Sequence, residues 1–311
     1  MSILKYIFFA VLILFFSSCE KEFVPEGSND APQIVVEGFI EAGQNPMNTY
    51  VILTKSQSFF SEIGLSTLNN NFIRDAVVTV YNGTKTVQLR QLCLDSLPPA
   101  LRMQAAAALG FNPDSVKINF CIYVDVLNEM PGAVGGKYDL KIVTKTGETA
   151  TATTTIPRLV PLDSLYFITP PGDNNDTLAQ GKFILKDPAG ERNFYRYFTK
   201  INQGVYQAGR GSVANDGFIN GKELRGTLTK SEPRGVKFNP ATFGLFKIGD
   251  TASVKWCTLD EAHFNFWNTL EFSANNQGPF SSYTRIKHNI VGGLGIWGGY
   301  AVTYTDKLVK K

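Results

Sequence analysis

Along most of the chain, apolar and polar positions alternate with a period of two, the mark of strands that bury one face. Ile34, Val36, Gly38 and Ile40 alternate with Val35, Glu37 and Phe39, and Tyr50 to Thr54 is short and β-branched. Ala76 to Tyr81 faces Thr84 to Leu89 across Asn82-Gly83, a strong short-range hairpin signal. Ile118 to Leu127 and Lys137 to Thr144 follow, and Thr146-Gly147 turns the chain into Glu148 to Ile156. About seven short strands in about 125 residues is the spacing of a β-sandwich. One helix interrupts them: Pro98-Pro99, then ALRMQAAAAL, then Gly110 supply a proline start, alanine-rich propensity and a glycine stop.

Two X-Pro pairs, Ile156-Pro157 and Val160-Pro161, predict a stiff extended connector, because proline restricts both itself and the residue before it. Beyond it the alternation resumes at Leu165 to Ile168, Lys182 to Lys186 and Asn193 to Ile201, the last with Tyr195 and Tyr197 on one face and Phe194 and Phe198 on the other. Residues 203–226 hold six glycines and few large apolar groups, and read as a long mobile loop or hairpin. Thr258-Leu259-Asp260-Glu261 fits a capping box that opens a helix over about residues 259–272, with Leu259, Phe266, Trp267 and Leu270 as a packing stripe. The expected architecture is therefore mainly β: a sandwich with a small helical insert over 33–157, then a second β-rich, sandwich-like domain with one helix over 158–311.

Asn289 to Tyr300, NIVGGLGIWGGY, contains the G-x-G-x-x-G of a dinucleotide-binding loop as Gly293, Gly295 and Gly298. That loop needs a helix after it and an acidic residue about 20 positions on. Only GYAVTYTDKLVKK remains, and its alternation is strand-like. The glycines are expected at turns and close backbone contacts of a β-structure, and no cofactor is expected.

The N-terminus carries a different pattern. Lys5 precedes the unbroken apolar run Ile7 to Phe16, and Ser17-Ser18-Cys19 follows. A spanning helix needs about 20 apolar residues, so the run fits the core of a signal peptide over 1–18. Phe16 to Cys19 resembles a bacterial lipobox, with Phe16 where leucine is usual; the resemblance implies that Cys19 becomes the acylated first residue. Several acyl chains together anchor stably to a membrane. Glu20-Lys21-Glu22 is similar to the charged signal that sends Bacteroidota lipoproteins to the cell surface, and residues 19–32 read as a flexible stalk.

Composition changes this picture little. Of 311 residues, 43% are hydrophobic and 18% charged, which is globular. Without residues 1–18 the balance is 29 basic against 27 acidic, or +2, and no basic run interleaves with aromatics, so no nucleic-acid partner is expected. Cys93 and Cys121 fall in apparent strands on either side of the insert; a disulfide between them and two buried free thiols are both open readings, and Cys257 reads as a buried thiol.

Candidate chemistry is sparse. His263 and His288 have no partner at ligand spacing, and Asp173-Asn174-Asn175-Asp176 lacks the glycine and distal glutamate of an EF-hand. No metal, catalytic or cofactor residue is nominated. Gly136-Lys137-Tyr138-Asp139-Leu140 resembles the tyrosine corner of immunoglobulin-like sandwiches, with Leu140 in place of the second cysteine.

Cys19, IVVEGFI, GKYDLKIVTKTGETATATTTIP, KDPAGERNFYRYF, NDGFINGK, FWNTL and NIVGGLGIWGG together resemble the Bacteroidota lipoproteins grouped as domain of unknown function 4249. The resemblance covers nearly all of the mature chain, transfers no catalytic residue, and implies genomic proximity to TonB-dependent outer-membrane receptors. The expectation is a lipid-anchored, surface-exposed outer-membrane lipoprotein, a non-enzymatic binding or accessory protein of a TonB-dependent receptor, contacting partners through loops at 203–226 and 169–181. The alternative is a cell-surface hydrolase of glycan or peptide with a dispersed carboxylate pair.

Overall fold

The computed structural model describes residues 31–57, 69–99, 101–103, 119–172, 176–232, 236–275 and 284–311. The signal segment, Cys19, most of the stalk, most of the helical insert (residues 100 and 104–118) and Asp173–Asn175 lie outside the described residues; Pro99 and Leu101–Met103 are helical.

The chain is mainly β. Its strands are β1 (Ile34–Gly43), β2 (Tyr50–Lys55), β3 (Val77–Tyr81), β4 (Thr86–Gln88), β5 (Arg90–Cys93), β6 (Cys121–Val124), β7 (Lys137–Val143) and β8 (Thr149–Thr155), then β9 (Ser164–Ile168), β10 (Leu178–Lys186), β11 (Phe194–Ile201), β12 (Gln207–Asn215), β13 (Glu223–Leu228), β14 (Phe246–Lys247), β15 (Thr251–Leu259) and β16 (Leu294–Leu308). One long helix, α1 (Glu261–Asn275), joins the last two strands.

A central sheet of eight strands runs β12-β11-β15-β16-β1-β2-β6-β5. Two four-stranded sheets accompany it, β4-β3-β7-β8 and β13-β10-β14 with β9 also paired to β10. Every pairing is antiparallel except β1 with β16, which is parallel over Val35–Gly43 and Leu294–Val302. Gln33–Ser56 and the described residues of Ile63–Lys311 form one compact unit. Strands from both sides of the Ile156–Pro161 connector share the central sheet, because β16 returns to lie beside β1. What each side of the connector owns is a covering sheet: β4-β3-β7-β8 comes before it and β13-β10-β14 after it. Val160 is clipped to β15 by its N–H donating to Thr258 Oγ1 at 3.0 Å and its carbonyl accepting from Trp256 Nε1 at 3.0 Å.

Pleating assigns the faces. Ile34, Val36 and Ile40 of β1 and Val51 and Leu53 of β2 pack on Val78, Val80, Leu140 and Ile142 of the first covering sheet. Farther along the same face, Val254, Trp256 and Tyr195 pack on Leu165, Leu185, Leu228 and Phe246 of the second. The opposite face carries α1, whose Phe264 packs with Phe39, Phe194, Leu259, Ile296 and Tyr300.

Tyr138 behaves as a corner residue: its hydroxyl accepts from Ala133 N at 2.8 Å and donates to Pro131 O at 3.3 Å, while its own carbonyl accepts Trp297 Nε1 at 3.1 Å. Trp297 is fully buried, and a Cβ on Gly38 would lie 2.9 Å from its ring. Gly295 and Gly298 of NIVGGLGIWGGY have packing roles inside β16. Gly295 has φ 104° with Val36 O where a Cβ would point, and a Cβ on Gly298 would lie 2.7 Å from the His263 ring.

Three sequence expectations differ in detail. The Asn82-Gly83 hairpin closes through four residues, since Tyr81 pairs Thr86 and Asn82 Oδ1 accepts from Thr84 N and Lys85 N. Thr258 lies within β15, and the residue that caps α1 is Asp260, whose Oδ1 accepts His263 N at 2.7 Å. Residues 203–226, read as a long mobile loop or hairpin, contain β12 and much of β13, which pair with β11 and β10 and not with each other, and 178–181 belongs to β10. Their glycines hide the alternation while serving packing: a Cβ on Gly226 would lie 2.2 Å from the Phe183 ring. The turn left between them carries Phe218, 95% exposed.

Candidate functional site

Among the described residues, α1 covers the face of the central sheet that it occupies across β12, β11 and β16. Over β1 and β2 the same face is hollow. Val35 and Glu37 of β1 and Tyr50, Ile52 and Thr54 of β2 line a cavity of about 270 Å³, walled by Phe72 and Phe120. Pleating explains the floor, because odd positions of β1 and even positions of β2 share this side. Phe72 is brought in by its bridge to Thr54, and it meets Phe120 edge-on with ring centroids 5.2 Å apart.

The second wall is held by the disulfide. Cys93 and Cys121 are cross-strand partners on β5 and β6 and are bonded to each other. Phe120, next to Cys121, accepts Leu94 N at 2.9 Å through its carbonyl, so both flanks of the bridge fix its backbone.

Beneath α1 lies a different kind of interior. The Glu41 carboxylate is buried on β1; its Oε1 accepts from Lys255 Nζ at 2.7 Å and from the Tyr300 hydroxyl, and its Oε2 accepts Met47 N at 2.9 Å. Burial is the largest single influence and works to lower the Lys255 ammonium, but the Glu41 charge and hydrogen bond, together with Cys257 and Tyr304, hold the group above its ordinary value. Arg196 lies with its guanidinium 3.6 Å from the centre of the Trp267 ring and 4.8 Å from that of Phe198. Its Nε donates to Ser212 Oγ at 3.1 Å, and Glu271 stands 3.5 Å away while also accepting Ser212 N at 2.8 Å. Burial lowers the Arg196 group, with Glu271 opposing that shift.

His263 lies in the same layer, stacked on Phe39 at 5.2 Å, with neither ring nitrogen hydrogen-bonded. Burial, reinforced by the Arg196 charge, pushes it down to about 3, so it is neutral at physiological pH. Cys257 is a buried free thiol pushed up to about 12, by burial first. Neither group is activated for proton transfer or nucleophilic attack. His288 sits apart, its Nδ1 3.2 Å from Ile290 O, and Asp176 pairs with Lys311 at 3.6 Å. Among the described residues, no group of three or more His, Cys, Asp or Glu is placed to hold a metal ion, and no helix is long and apolar enough to cross a membrane.

Tyr50 joins the two regions. Its ring meets Phe39 edge-on at 5.7 Å and forms part of the hollow, and burial, then Glu37 and Glu41, raise its phenol far above the ordinary value. The charged layer was readable in part, because Lys255 is the lone charge in TASVKWCTL and Glu41 is one of two, with Glu37, in the otherwise apolar IVVEGFIEAG. Their pairing spans 214 positions and had no local signal. Phe72 and Phe120 likewise reach the hollow only through tertiary pairing.

The family model described as "Domain of unknown function (DUF4249)" matches residues 20–306. No curated protein and no solved structure matches the chain.

Proposed function

The chain belongs to the family described as domain of unknown function DUF4249, and from that premise we propose that it is a lipid-anchored outer-membrane lipoprotein of Bacteroidota type that works by binding. In this reading Cys19 carries the acyl anchor, the segment after it gives reach, and the folded part is a surface-exposed accessory of a TonB-dependent receptor. The observation that carries the binding reading is the hollow: an aromatic-walled depression on a rigid sheet, open among the described residues where the other half of the same face packs against a helix.

The turn at Phe218 supplies a second recognition element, suited to the receptor. Asp216 Oδ2 accepts Asn193 N at 2.8 Å, Asp216 O accepts Ile219 N at 2.8 Å, and Asn220 bridges to Gly190 N at 2.9 Å and Glu191 O at 2.8 Å. A pre-organised turn that presents an exposed phenylalanine loses little entropy on docking. Buried Glu41 and half-buried Glu271 do not favour hydrolysis, because each is paired with a cation, Lys255 and Arg196.

Fractionation tests the anchor. Cys19→Ala should shift the protein from the membrane to the soluble fraction, and unchanged retention after a carbonate wash would contradict it. Purification of the tagged full chain from mildly solubilised outer membranes tests the partner. A co-purifying TonB-dependent receptor is expected; its absence, together with glycan or peptide turnover lost on mutating a carboxylate pair, would transfer the assignment to the hydrolase.

A further inference from the structure

We propose that Asn82-Gly83, at the tip of the β3–β4 hairpin, is a self-modifying site: the Gly83 nitrogen attacks the Asn82 side chain and converts it, through a succinimide, into isoaspartate and aspartate without an enzyme. The inference stands apart from the hollow and from the binding reading.

Two Asn-Gly steps, Asn82-Gly83 and Asn220-Gly221, lie in exposed turns. Glycine at the second position leaves the attacking nitrogen unshielded by a side chain. Their hydrogen bonds set the two steps apart. Asn82 Oδ1 accepts from Thr84 N at 3.1 Å, Thr84 Oγ1 at 3.0 Å and Lys85 N at 2.8 Å. Donors gathered on a carbonyl oxygen stabilise the oxyanion that forms when a nucleophile adds to its carbon. Among the described residues, neither the Gly83 N–H that must attack nor the Asn82 Nδ2 that must leave donates a hydrogen bond. The Tyr81 hydroxyl donates to Gly83 O and holds the attacking residue in the turn.

At Asn220 the same groups are engaged. Gly221 N donates to Asp187 Oδ2 at 3.2 Å and Asn220 Nδ2 to Glu191 O at 2.8 Å, while Asn220 Oδ1 accepts Gly190 N at 2.9 Å. Nucleophile and leaving group must each give up a partner before this ring can close.

In the first step a bond forms from Gly83 N to Asn82 Cγ and the bond from Cγ to Nδ2 breaks. The Gly83 amide proton ends on Nδ2, which departs as ammonia. Water then opens the ring, at Cγ to give aspartate or at the Asn82 backbone carbon to give isoaspartate, whose main chain is one methylene longer. Either product places a new carboxylate in a hairpin where Lys85 Nζ already pairs with Glu129 at 3.0 Å.

The test incubates the full-length lipoprotein in lipid nanodiscs at mildly alkaline pH, then digests it and follows both Asn-Gly peptides by mass spectrometry, with isoaspartyl methylation to mark isoaspartate. In the folded protein Asn82 should convert about tenfold faster than Asn220, less than the 10²–10³ of a donor in a water-excluded site because this turn is exposed. In urea, where both sets of hydrogen bonds are gone, the two steps should convert at similar rates. Thr84→Val removes one donor and leaves the Asn-Gly step intact; it should slow Asn82 several-fold in the folded protein and not in urea. Equal conversion of the two steps in the folded protein, the same preference for Asn82 in urea, or an unaltered Asn82 rate in folded Thr84→Val would overturn the inference.

Discussion

Two halves of one sheet face behave in opposite ways. On the α1 side, buried Glu41, Lys255 and Arg196 are matched charge to charge, Arg196 by the half-buried Glu271 of α1 itself, and rings pack against the cations. Over β1 and β2, a few ångströms along the same strands, the side chains are shorter or aromatic, carry one carboxylate and leave a cavity. A buried ion pair is a poor source of net stability but costly to break, whereas an open apolar hollow can lose atoms cheaply. The charge-matched half is therefore the costlier one to disturb and the hollow the more tolerant of substitution.

The sharpest way to break this contrast is to orphan one charge. Glu41→Ala leaves Lys255 buried without its carboxylate and should cost about 3–5 kcal/mol. Glu41→Leu with Lys255→Met should recover most of that loss. Urea unfolding decides it: a single-variant cost below about 1 kcal/mol would mean that the covered half is not held by this pair.

Next in size is the staple beside the hollow. Cys93 and Cys121 are 28 positions apart, and opening a loop of that length should cost roughly 3.5 kcal/mol in the chain-entropy model. Cys93→Ala with Cys121→Ala should lower the unfolding midpoint accordingly, and peptide mapping without reductant should recover the two residues as one linked species. Both thiols alkylatable in unfolded, unreduced protein would contradict the bridge.

Acid should act through the covered half. Unfolded histidine takes up a proton near pH 6.5, whereas His263 in the folded protein does so only at about 3. Its contribution is complete above pH 6.5 and is lost as pH falls toward 3, at up to about 1.4 kcal/mol per unit, or roughly 2–3 kcal/mol by pH 4.5. His263→Phe should remove that slope. Comparing the two proteins at each pH cancels shared contributions such as Asp260, which burial raises. Identical pH profiles would refute a neutral buried imidazole.

How much of this was legible in the sequence depended on the range of the interaction. Period-two alternation located β1, β2, β7, β8, β9 and β11 closely, because one face of each meets a core. It failed at β12 and β13, where glycines that let rings approach remove the apolar marks. The parallel pairing of β16 with β1 joins chain ends more than 250 positions apart and has no local signature. The hollow was invisible for the same reason: its floor comes from two strands, but its walls come from Phe72 and Phe120, which no pattern connects.

The smallest stability effects should fall on the recognition elements. Phe218→Ser removes a side chain that is 95% exposed and should change stability by no more than about 0.5 kcal/mol. That near-neutrality makes it the cleanest probe of the binding account. The most direct measurement is receptor recovery with tagged full-length protein from outer membranes, comparing the unaltered chain with Phe218→Ser at matched expression and melting temperature. The account predicts that a TonB-dependent receptor accompanies the unaltered protein and is strongly depleted with Phe218→Ser. Equal recovery with both, or no receptor with either, would contradict it.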